Sequence, residues 1–206
     1  MKIRGLTTGI LALAVLGTAA LVSAGDEKKA AAPAMDEKTA AMMAAWEKAG
    51  TPGEAHKKLE PFVGTWETKS KHWMKPGDPP EEAAGVTETR WVLGNRFLEM
   101  RYEGPMMGQP FTGVGYTGYD NIKKKYVGSW MDSMTTAMMT SVGDADASGK
   151  VMNFTIACND PMTGKPMTMK EKITVTDNDH HTMEMWGPGP DGKVYKMMEM
   201  TYTRKM

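Results

Sequence analysis

One cysteine, Cys158, is present in 206 residues, so no internal disulfide can hold this chain together. No cysteine follows the small residues Val22-Ser23-Ala24, which argues against lipoprotein-type processing. Charge of one sign is also missing. The sequence has 25 basic and 25 acidic residues, and removing Lys2 and Arg4 with a leader turns the 25 basic residues into 23. Such a balance leaves no electrostatic footprint for nucleic acid. Leu and Ile are scarce after residue 66. The apolar run near the start is interrupted and short of the ~20 residues that an anchoring helix needs. No Gly-x-Ser-x-Gly elbow and no Cys/His ligand spacing occurs. Neither a catalytic residue nor a metal site is therefore assigned; the sequence favours a non-enzymatic role and leaves an enzyme of unrecognised type open.

What is present begins with a leader. Lys2 and Arg4 precede an apolar stretch from Gly5 to Val22, and Val22-Ser23-Ala24 supplies small residues for cleavage. Residues 1–24 read as a signal peptide. The mature chain then starts at Gly25 and is exported to the periplasm or secreted, with no stable membrane insertion after cleavage. Residues 25–35 form a Lys/Ala/Pro linker without periodicity. Residues 36–60 read as a helical segment: Asp36 can cap it, Ala, Met, Lys and Glu follow, and Gly50-Thr51-Pro52-Gly53 interrupts it.

From residue 61 to 206 the pattern changes to period two. Short runs rich in Thr, Val, Tyr, Trp and Met alternate with turn signals such as Gly94-Asn95, Asp120-Asn121 and Asp177-Asn178-Asp179. About ten strands are expected, at 66–74, 85–93, 96–103, 109–119, 125–132, 136–143, 150–158, 166–175, 180–186 and 194–204. Hairpins without helical crossovers imply antiparallel order, and closure removes the two exposed edges. The expected fold is all-β: a closed or nearly closed antiparallel β-barrel preceded by a short N-terminal helical segment.

Pro61-Phe62-Val63-Gly64-Thr65-Trp66 closes the helical segment and opens the first strand. Glycine permits the tight transition, and tryptophan can plug a barrel end. This resembles the Gly-x-Trp opening of lipocalins and fatty-acid-binding proteins. A closer resemblance covers residues 50–204. It rests on His56-Lys57-Lys58-Leu59 leading into Gly64-Thr65-Trp66, on Arg96-Phe97-Leu98 after Gly94-Asn95, and on Gly115-Tyr116-Thr117-Gly118-Tyr119-Asp120 followed by Tyr126-Val127-Gly128-Ser129-Trp130-Met131-Asp132. On these motifs the chain is similar to the bacterial family called domain of unknown function 1579. The resemblance implies a lipocalin-like (calycin) barrel and assigns no activity. His56, Gly64 and Trp66 are the expected structural residues of the barrel end.

Several strings are weighed and set aside. Gly113-Val114-Gly115-Tyr116-Thr117-Gly118 matches Gly-x-Gly-x-x-Gly but lacks the following helix that a dinucleotide site needs; glycines on a crowded, bent strand explain it better. Asp144 to Gly149 begins like a calcium loop, but Thr155 stands where a bidentate Glu is required. His180 and His181, being adjacent on a strand, point to opposite faces. A haem-binding barrel of a related class would be expected to repeat Gly-x-Gly-x-Gly in its opening strand, which this chain lacks.

The 22 methionines demand an account, and only Met1 lies in the leader. Thioethers suit Cu(I), and Met183/Met185 or Met198/Met200 could pair on one strand face. Methionine also fills cores and adaptable pockets, and its use in place of Leu and Ile favours that reading. On strand 166–175, Met167, Met169, Ile173 and Val175 share a face, with Glu171 among them. If that face points inward, Glu171 is a buried carboxyl needing either a barrel-mouth position or a cation such as Arg90, Arg101 or Arg204. Tyr202 and Arg204 share a face on the last strand, in the reverse order of the Arg-x-Tyr pair of fatty-acid-binding barrels. Exterior charge is the plainer reading of the arginines. The candidate ligand residues are thus Glu171, Arg90, Arg101, Tyr202, Arg204, Met167, Met169, Met183 and Met185. The expected role is binding of a small, mostly apolar ligand. The alternatives are a copper or haem protein, or a structural or stress-related interaction module; no cofactor is predicted.

Overall fold

The computed structural model describes residues 36–189 and 191–206. The expected leader (1–24) and linker (25–35) lie outside the described residues. The described chain opens with helix α1 (Glu37–Gly50), a one-turn helix α2 (Glu54–Lys57) and a 3-10 turn at Glu60–Phe62. Ten strands follow: β1 (Gly64–His72), β2 (Glu81–Val92), β3 (Phe97–Met106), β4 (Gln109–Asp120), β5 (Lys125–Asp132), β6 (Met139–Ala145), β7 (Val151–Asn159), β8 (Pro166–Val175), β9 (His180–Pro188) and β10 (Val194–Arg204). Each pairs antiparallel with its sequence neighbour, and β1 pairs with β10 to close the barrel. The expected barrel and its preceding helical segment are both present.

Several strand limits differ from the expectation, and two of the differences have identifiable reasons. β2 starts at Glu81 because Glu81 to Ala84 pair with Lys69 to His72 of β1. Glu and Ala have little β-propensity of their own, so only the partner strand makes this stretch extended. β6 starts late, at Met139. The Asp132 carboxylate accepts hydrogen bonds from the backbone N–H groups of Met134 (3.0 Å) and Thr135 (3.1 Å). That turn takes up donors that a strand would need.

Alternation sorts the wall. On β1, Trp66, Thr68 and Ser70 are buried, whereas Glu67, Lys69 and Lys71 are exposed. The closing ladder runs from Trp66 opposite Arg204 to His72 opposite Met198. A shift between Lys196 and Met198 on β10 bends the strand against β9. The segment carrying α2 and the 3-10 turn covers one end, where Leu59, Leu98, Tyr126, Met152 and Phe154 pack together. α1 is tied down by the Asn121 side chain, which donates to the carbonyls of Ala49 (3.0 Å) and Thr51 (2.8 Å).

Candidate functional site

The covered end is a satisfied polar and aromatic plug. Trp66 is 1% exposed, and its Nε1 donates to the Phe62 carbonyl at 2.9 Å. The Arg204 guanidinium lies 4.1 Å from the Trp66 ring and donates to the carbonyls of Val63 (2.7 Å), Pro61 (3.1 Å) and Asn178 (2.9 Å). Gly64, at φ +132°, holds a backbone conformation that residues with a side chain rarely adopt, and a Cβ there would also displace the Arg204 guanidinium. His56 is buried, and its Nδ1 accepts the Gly53 N–H at 3.1 Å. The Tyr126 hydroxyl donates to the Ala55 carbonyl at 2.8 Å. His181 stacks on Tyr202, 4.1 Å between centroids, and meets Trp66 edge-on at 4.4 Å. Burial, with Arg204 as the smaller cause, holds the His181 imidazole down at about 3, so it is neutral.

Above this plug the barrel is hollow. A cavity of about 420 Å³ occupies its interior. Its walls differ in kind. β8, β9 and β10 present Glu171, Ile173, Met183, Met185, Met198 and Met200. β4, β5 and β6 present Gly115, Thr117, Gly128 and Ser141 with Trp130. Those small residues leave the space that makes the centre a cavity. The glycine string of β4 has its explanation here: a Cβ at Gly113 would run into the Trp130 ring, and one at Gly115 would come within 3.0 Å of it.

The methionine pairs converge in a way their spacing could not reveal. Met183 stands opposite Met200, and Met185 opposite Met198, in the β9–β10 ladder. Met198 and Met200 therefore belong to the same wall as the two expected residues. Met169 is buried on the same face of β8, and Met167 lies further along it, opposite Cys158 of β7. The thiol of Cys158 is pushed up by burial and then by Asp160, as befits an unreactive group.

Glu171 points into the cavity from the middle of β8, with Phe154 opposite it on β7 and Met185 on β9. No described residue makes a hydrogen bond or an ion pair with its carboxyl. Burial pushes that carboxyl up to about 7. Tyr202 lines the cavity nearby, and its phenol is pushed above the usual range by burial, then by Glu171, then by Tyr102.

Of the two arrangements considered for Glu171, the structure brings none of the three arginines to its carboxyl. Arg90 and Arg101 have side chains 68% and 55% exposed and stand on the outer face of β2 and β3. There they bind the enclosed carboxylate of Glu99, Arg101 Nε at 2.6 Å and Arg90 Nη2 at 3.1 Å, with the Tyr116 hydroxyl donating at 3.2 Å. Those bonds, the Arg101 one foremost, hold Glu99 below the usual carboxylate range. Arg204 sits in the plug, engaged by carbonyls and by Asp179 at 3.2 Å. Strand parity sends 99 and 101 outward once Leu98 and Tyr102 point in. Sequence reasoning also missed Trp130, Tyr102 and His181 as cavity residues, although the i, i+2 alternation around each carried the signal.

Comparison with known proteins agrees with this architecture. The model of a family described as a protein of unknown function (DUF1579) matches residues 51–204. No curated protein matches the chain. Among solved structures, the crystal structure of Rv2717c from M. tuberculosis is similar at 15% identity and a TM-score of 0.58, covering 76% of this chain and 100% of that one. A redesigned β-barrel aligns at 15% identity over 76% of this chain and 100% of its own, with a TM-score of 0.39. The first of these likenesses is one of fold.

Proposed function

The chain belongs to this family of unknown function, and we propose that it is an exported protein that holds one small, mostly apolar molecule inside its barrel. The observation that carries this reading is the cavity of about 420 Å³ walled by thioethers, aromatic rings and a few hydroxyls. That volume lies in the range of small-molecule sites, whose walls are mainly apolar with few polar groups. Methionine side chains re-pack around guests of differing shape, which suits a binding site more than a rigid core. The outer wall, with Lys69, Lys71, Arg90 and Lys170 facing away from the cavity, supports a barrel that stands in water.

A second reading is favoured by one specific observation. Met183, Met185, Met198 and Met200 face one another across two adjacent strands, an arrangement of soft ligands that could take Cu(I). Native mass spectrometry with metal analysis, on protein purified from its own exported compartment, separates the two. The expected result is a chain beginning at Gly25 with a small organic adduct that organic solvent removes. An environment-sensitive apolar dye should then bind the stripped protein at one site. A copper ion held at one per chain would establish the second reading, and a bare chain that takes up neither dye nor metal would refute both.

A further inference from the structure

The cavity holds the carboxyl of Glu171 and, among the described residues that line it, no permanently charged cation. Glu171 enters it with both carboxyl oxygens unengaged, in the middle of β8. No Lys or Arg is among the described residues that line it. The three arginines nearest in expectation are accounted for elsewhere: Arg90 and Arg101 outside on Glu99, and Arg204 on the plug carbonyls. The two lining histidines, His72 and His181, both have imidazoles lowered by burial, with Glu81 opposing at His72 and Arg204 reinforcing at His181. The only other acid among the described lining residues, Asp132, already accepts from Trp130 Nε1 at 3.2 Å and from two backbone N–H groups.

On the reading that this barrel binds a small molecule, we propose that its guest is an amine-headed apolar molecule, whose nitrogen sits on the Glu171 carboxyl. Glu171 is half-buried, and a carboxyl that faces an apolar cavity without a partner is costly; a ligand that brings the missing donor recovers that cost. An ammonium is also suited by the polarisable sulfur of Met183, Met185, Met198 and Met200 in the same wall. A carboxylate-headed guest, the kind fatty-acid-binding barrels hold, would meet Glu171 as a like charge with no cation to receive it.

Binding has a proton signature. The free carboxyl titrates at about 7, and an ammonium beside it returns it toward the ordinary range, so amine binding near pH 6.5 should release a proton from Glu171. The other titratable groups that face the cavity are His72, Tyr102, Asp132, His181 and Tyr202. His181 is already neutral there, the His72 imidazole is lowered by burial, the tyrosines are protonated, and Asp132 is engaged by donors.

The test uses the full mature chain and three probes of equal chain length at monomeric concentrations: dodecylamine, 1-dodecanol and laurate. Calorimetry at pH 6.5 in two buffers of different ionisation enthalpy reads affinity and proton release together. Dodecylamine should bind at least about tenfold more tightly than 1-dodecanol, with laurate weakest, and only the amine should release a proton. Glu171→Gln should abolish the amine preference and the proton release, while an unchanged circular-dichroism spectrum and a cooperative thermal transition show that the variant is folded. Laurate binding as tightly as the amine, or an amine preference that survives Glu171→Gln, overturns the proposal and leaves the apolar-binding reading in place. Failure of all three probes to bind removes that reading and this one with it.

Discussion

The two halves of this barrel obey different rules. At the covered end the polar groups are matched and the rings packed: Trp66 on Phe62, Arg204 on three carbonyls, His56 on Gly53, Tyr126 on Ala55. In the open half, small residues on β4 to β6 face flexible methionines on β9 and β10 across free volume, and Glu171 has no partner among the described residues. The difference assigns stability to one end and adaptability to the other. A barrel closed by β1 on β10 needs one rigid junction to fix its register, and the plug supplies it where both strands end. With register fixed there, the rest of the interior is free to remain underfilled.

The largest effect should come from breaking the plug. Burying an indole removes ~150–250 Å² of apolar surface from water, and Trp66→Ala should cost ~3–5 kcal/mol in chemical denaturation. A loss under ~1 kcal/mol would mean that the covered end does not anchor the fold.

Next is a pH-dependent effect that sets the two halves against each other. Glu171 is raised from 4.5 to about 7, so the fold favours its protonated form. Its contribution is fully present below pH 4.5 and is lost as pH rises through 7. Glu171→Gln keeps the shape without the charge. The variant should therefore match the parent near pH 4 and exceed it by up to ~3 kcal/mol at pH 8. His181 has the opposite slope: its imidazole is lowered from 6.5 to about 3, so its contribution is present above 6.5 and lost as pH falls toward 3. The variant should retain that acid-side loss. Denaturant midpoints measured from pH 4 to 8 check both slopes, and equal curves for the two proteins would show that Glu171 is hydrated.

The smallest effect should come from the methionine wall. Met183→Leu and Met198→Leu conserve volume and should each change stability by less than ~1.5 kcal/mol. If this wall adapts to a guest, the same substitutions should alter apolar-dye binding more than they alter the melting midpoint. Large destabilisation would show a tightly interlocked wall and remove the contrast between the halves.

Strands were legible because their cause is local. Met167 to Val175 alternates residue by residue, and Asp120-Asn121 or Gly94-Asn95 adopts turn geometry from its own backbone preferences; Asn95, for instance, has φ 61°. The site was legible only in pieces. Glu171 could be placed on an apolar face by counting in twos, but its partner could not, because Arg90, Arg101 and Arg204 come from strands far away in the sequence. Glu99, which captures two of them, stood in plain view on the same face as Arg101.

The sequence by itself determined the period-two strands, the turns between them, the helical lead-in and the Gly64–Trp66 junction, since each depends on conformational preferences within a few residues. Tertiary structure alone decided that Met183 meets Met200, that small residues lie across from methionines, and that Arg90, Arg101 and Arg204 are engaged away from Glu171. Those outcomes follow from register between distant strands and from barrel closure. A shift of one residue in any ladder would turn an inward side chain outward, and no local preference records which register the closed barrel selects.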